Sequence, residues 1–81
     1  MCEEQNYQRV EIDWHDAHAY SEHWTSLDEI EEEPCLVRTV GWLLPDAKPG
    51  HVVVAQSLNS LDGIDCVLCI PVGMVVRTTV F

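Results

Sequence analysis

The chain predicts a mainly β fold, a five-stranded, strongly bent sheet or SH3-like small barrel with a short helical turn in its first connection. Three observations carry this. Apolar residues either alternate with polar ones or gather in short runs rich in Val and Ile, the pattern of strands rather than of helices. Clusters of Pro, Gly, Asn and Asp punctuate those runs. A long polar connection follows the first run and a single tight turn precedes the last, which suits a sheet that curls and so protects its edges.

Each element follows from local pattern. Val10, Ile12 and Trp14 alternate with Glu11 and Asp13, a period of two that places one face of a strand in a core. Leu27 and Ile30 lie three apart behind Ser26, and Ser26 with Glu29 has capping-box spacing, so a short helical turn over Leu27 to Glu32 is expected, stopped by Pro34. Cys35 to Leu44 reads as the longest strand, with Leu36, Val40, Trp42 and Leu44 on one side and Val37, Thr39 and Leu43 on the other. Gly41 marks a bend, a bulge or a close backbone approach. Pro45 to Gly50 is turn chemistry, so the long strand and His51 to Ser57 form a hairpin. Leu58 to Asp65 supplies a second turn, Cys66 to Ile70 a fourth strand, Pro71 to Met74 one tight helical turn and Val75 to Phe81 a fifth strand.

With 81 residues, of which 47% are hydrophobic and 22% charged, the chain makes one small β domain over residues 1–81. A domain of this size buries about 60% of its unfolded surface, enough for one thin core. Residues 1–8 read as a flexible N-terminal segment and 15–34 as an acidic connection. No apolar stretch reaches the roughly 20 residues that cross a bilayer, and Met1 to Arg9 lacks the pattern of a signal peptide. The expected setting is therefore cytoplasmic, with no membrane partner and with Cys2, Cys35, Cys66 and Cys69 as reduced thiols.

Charge is segregated. Residues 1–33 hold 11 of the 14 acids and only one of the 4 bases, Arg9. Such a face attracts basic surfaces and repels phosphate backbones, so direct nucleic-acid binding is disfavoured; four scattered bases cannot build a phosphate track.

Few residues point to chemistry. Cys66 and Cys69 have the spacing of a metal or redox pair, but on a strand they face opposite sides and no second pair completes a zinc site, so they are read as small buried apolar side chains. His15, His18 and His23 with Asp13, Asp16 and Glu22 are the densest set of potential ligands, yet they follow no ligand motif, and no metal or cofactor is assigned. No serine sits in a nucleophile elbow and no glycine-rich phosphate loop occurs, so the chain is not read as an enzyme. Trp14 and Trp42 fall in core positions by strand phase, whereas Trp24, in the polar connection, is the candidate contact aromatic. Arg38 and Arg77 lie on apolar strands, where each either pairs with Asp13 or Asp16 or meets a ligand anion beside a tryptophan ring.

The order Val10-Glu-Ile-Asp-Trp-His-Asp-Ala17, Trp24, Val40-Gly-Trp-Leu43, Val52-Val-Val-Ala-Gln-Ser57 and Ile70-Pro-Val-Gly-Met74 resembles a group of small bacteriophage-encoded proteins of unassigned function. In that group a W-x-D-A segment, a V-G-W-L strand, a V-V-x-A-x-S strand and an I-P-x-G turn recur in this order, and no catalytic residue carries over. The resemblance implies a phage accessory protein acting in the host cytoplasm. Its expected function is non-enzymatic counter-defence, sequestering a nucleotide-derived immune signal in a pocket shared within a homo-oligomer, with Trp24, Arg38, Trp42 and Arg77 holding the nucleotide-like ligand. The alternative is an acidic inhibitor that docks on the basic surface of a host nucleic-acid enzyme or defence protein through Asp16, Glu22, Trp24, Asp28, Glu31, Glu32 and Glu33. Self-association is expected through an exposed strand edge or an apolar patch over Met74 to Phe81.

Overall fold

The computed structural model describes residues 7–17, 24–30 and 33–81. Five strands form one antiparallel sheet: β1 (Arg9–Asp16), β2 (Cys35–Leu43), β3 (His51–Leu58), β4 (Ile64–Pro71) and β5 (Val75–Val80), in the order β4-β3-β2-β1-β5. Among the described residues two single 3-10 turns complete the secondary structure, η1 (Leu27–Glu29) and η2 (Val72–Met74). Among the described residues no helix is long and apolar enough to cross a membrane.

The sheet is strongly bent, and chain length shows why. Five flat strands would set their outer members about 19 Å apart. β4 and β5 are those outer strands, yet only the three residues of η2 join them, a path of at most about 14 Å. Four antiparallel steps also put the C-terminal end of β4 and the N-terminal end of β5 at opposite ends of the sheet, so it must coil diagonally to bring them together; at this bridge the Val72 N–H donates to the Gly50 carbonyl at 3.0 Å. Closure into an SH3-like barrel does not follow: β4 and β5 form no ladder, because the short bridge joins only their adjoining ends.

On the inner face Val10, Ile12, Val54 and Ile70 are fully buried, with Trp14, Leu43, Val52, Met74 and Val75 packed against them. The Trp14 indole N–H reaches the Thr39 hydroxyl at 3.0 Å, so this large ring is half-buried with its polar atom satisfied. Leu44, Val53 and Ala55 form a second small cluster, with Leu58 against it. The run Val53-Val54-Ala55 is thus buried on both sides of the sheet.

Turns follow their residues. Asp46 and Gly50 take positive φ between β2 and β3, where glycine pays no steric penalty, and the Asn59 side chain accepts the N–H groups of Leu61 and Gly63 at 2.9 and 2.7 Å to shape the turn before β4. η1 is shorter than the turn its sequence predicts and ends at Ile30, which is extended. Its start has the predicted partner, Glu29 Oε1 accepting from the Ser26 N–H at 3.3 Å.

Two expectations about burial fail. Cys66 and Cys69 are exposed, because β4 is an edge strand that no second layer covers. Trp42, expected in a core position, is only half-buried, since it shares its face of β2 with the exposed Leu36 and Val40.

Candidate functional site

Strand alternation puts Arg9, Glu11, Asp13 and His15 on the outer face of β1, opposite Val10 and Ile12. The register then sets Asp13 across from Arg38 on β2 and from Arg77 on β5. Two arginines far apart in sequence so meet on one carboxylate. Arg38 donates from Nε to Asp13 Oδ1 at 2.8 Å and from Nη2 to Oδ2 at 3.4 Å, while Arg77 donates from Nη2 to Oδ2 at 3.1 Å. Glu11 Oε2 stands 3.4 Å from Arg38 Nε.

The cluster is asymmetric in exposure. Asp13 is 6% exposed, whereas the Arg38 and Arg77 side chains are 61% and 66% exposed. The Arg38 hydrogen bond holds the Asp13 carboxyl below its ordinary range, against the opposing effect of burial and with further help from Arg77; Asp13 in turn raises the Arg38 pKa. An ionised, fixed carboxylate therefore anchors two guanidinium groups whose remaining N–H donors face solvent.

Trp42 shares this face, four residues along β2 from Arg38, about 13 Å away at strand spacing. Its ring is half-buried, and the Arg9 guanidinium lies over it at 5.7 Å from the centroid. Trp24 does not join the face; it lies in the β1–β2 connection and is 98% exposed. A shallow groove of about 260 Å³ lies elsewhere, lined by Tyr7, Gln8, Leu43 and Pro45, and holds none of these four ligand candidates.

Of the acidic docking set, Asp16, Asp28 and Glu33 are exposed, and Glu22, Glu31 and Glu32 lie outside the described residues. The Ser26 hydroxyl donates to Asp28 at 2.6 Å and lowers its pKa. Leu27, 88% exposed, is beside it. His15 is half-buried across from Leu36, and His18 and His23 lie outside the described residues. Among the described residues no three His, Cys, Asp or Glu side chains gather as a metal centre would need.

Pairing of Arg38 and Arg77 with Asp13 is one of the arrangements the sequence allows. What sequence reasoning passed over is Glu11 beside Arg38 and Arg9 over Trp42; the signal was their shared parity with Asp13 on β1. Comparison with family models, with curated proteins and with solved structures finds no match to this chain. Its reading therefore rests on the geometry above.

Proposed function

We propose that this chain is a binding protein that sequesters a small nucleotide-like anion on the outer face of the sheet, in a pocket shared between copies, and so serves phage counter-defence against a nucleotide-derived signal. One observation carries the ligand class: Arg38 and Arg77 converge on Asp13 and still leave most of their surface in water. A fixed carboxylate orients both forks in advance, which reduces the entropy lost when they grip a phosphate. Asp13 and Glu11 balance the two positive charges, so attraction works through directed hydrogen bonds rather than a long-range field. The spacing to Trp42 suits a ligand longer than a mononucleotide, with its base displacing Arg9 from the ring. The phage setting rests on the motif resemblance.

Thermal-shift measurements with cyclic dinucleotides and ADP-ribose derivatives test this. A binder at a hundredfold excess over its Kd adds about 2.7 kcal/mol, and Arg38→Gln or Arg77→Gln should abolish the shift. No stabilisation at millimolar ligand would remove the reading.

A second reading is favoured by Trp24 and Leu27, large apolar side chains left almost wholly in water within the acidic connection. They suit the buried anchor of a contact with a basic host protein, steered by Asp16, Asp28 and Glu33. Salt-sensitive capture of one basic protein that is lost in Trp24→Ala, but kept in Arg77→Gln, would select this reading over the first.

A further inference from the structure

We infer that β4 of one chain pairs edge to edge with β5 of a second copy, a heterologous seam that uses both open edges of the sheet. This does not rest on the ligand reading. Among the described residues β4 hydrogen-bonds only to β3, and β5 only to β1, so each offers a row of unpaired backbone groups. Proteins that stay single blunt such edges with Lys, Pro, bulges or inward charges. β4 carries Asp65 near its start, a positive φ at Cys66 and Pro71 at its end, but Val67 to Ile70 between them is an uncharged run without Pro. β5 has one bulge near its start, and its only charge, Arg77, is turned onto Asp13.

The side chains agree. Ile64, Val67 and Leu68 on β4, Val76 and Val80 on β5, and the adjoining Phe81 are all exposed. At about 150 Å² for a large apolar side chain, they leave roughly 450 Å² of apolar surface in water. One seam takes one edge from each chain, so these side chains bring it roughly 450 Å² of apolar surface in all, about half the apolar share of a standard interface of about 1,600 Å², the size of a weak, concentration-dependent contact.

Charge and count select a second copy, joined β4 to β5. Asp65 is the only charged residue of β4 and Arg77 the only one of β5. The registers Asp65 to Ser57, Val67 to Ala55, Ala55 to Trp42, Trp42 to Arg9 and Asp13 to Arg77 put both on the outer face, so a sheet continued from copy to copy brings opposite charges to one side. Pairing β4 with β4 would leave every β5 edge open; the heterologous seam leaves none within a closed ring. Because β5 carries Arg77, the incoming strand also walls the open side of the Arg38–Asp13–Arg77 cluster.

Mixing two edge-blocked variants tests this on the full chain. Val67→Lys blocks β4 and Val80→Lys blocks β5; both sites are exposed, so the long side chain has room to reach water. Sedimentation at about 50 µM is expected to show wild type as an oligomer, each variant alone as a monomer, and their equimolar mixture at twice the chain mass. A monomeric wild type overturns the inference, as does a lone variant that still dimerises or a mixture that does not. Hydrogen exchange of the wild type needs no variant: residues 64–70 and 76–80 should both gain protection between about 1 and 100 µM, and protection confined to one strand refutes the seam.

Discussion

Asp13 is the buried charged side chain among the described residues, and its partners explain how it is tolerated there. An unpaired carboxylate at that depth would be neutral at pH 7 or would unfold its surroundings, and two guanidinium groups remove that cost. Because the folded-state pKa lies below the 3.8 of a free aspartate, the pairing stabilises the fold fully above that value and is lost as pH falls through the depressed one. Asp13→Asn should therefore lower the urea midpoint most near neutral pH, and the gap to wild type should close below pH about 4. An unchanged gap at pH 3 would mean that the charge of Asp13 is irrelevant to stability. The alternation of strand one already put Asp13 on the polar side, but that this side would be buried depends on Arg38 and Arg77 arriving from strands 25 and 64 residues away.

At the scale of the element, β2 shows how one residue directs a strand. β2 pairs with β1 along its whole length but with β3 only at Trp42–Ala55 and Leu43–Val54. Gly41 sits where the two backbones converge; a Cβ there would lie 2.7 Å from the Ala55 carbonyl oxygen. Just before it β2 parts from β3, and the Gln56 side chain donates to the Val40 carbonyl at 2.9 Å in place of a ladder bond. Gly41→Ala must displace β3, at a cost of about 1–3 kcal/mol in chemical denaturation. A neutral outcome would show that the strands part freely at this point. Of the readings open for Gly41 in the sequence, the close approach is the one realised.

For the whole molecule, core size is the controlling quantity. Seven apolar residues are buried among those described, and four of them, Val10, Ile12, Val54 and Ile70, form the inner cluster. Ile12→Ala should cost about 2–5 kcal/mol, a large share of the stability of a chain this short, and a loss below about 1 kcal/mol would place the main core elsewhere. The same shortage leaves apolar side chains on both outer strands. A closed sheet would have hidden more of them, but the three-residue bridge η2 bends this one without closing it.

The sequence by itself determined the number of strands and their places along the chain, the turns at Pro45–Gly50 and Asn59–Gly63, the capping contact of η1 and the tight turn between β4 and β5, because each depends on residues only a few positions apart. Tertiary structure alone decided which apolar residues are covered. Cys66 to Cys69 reads as core by composition and lies in water because burial depends on a neighbour in space, and β4 has a neighbour on one side only. It likewise decided that Arg38 and Arg77 meet on one aspartate, since that contact follows from the register of three strands, which no local pattern of residues specifies.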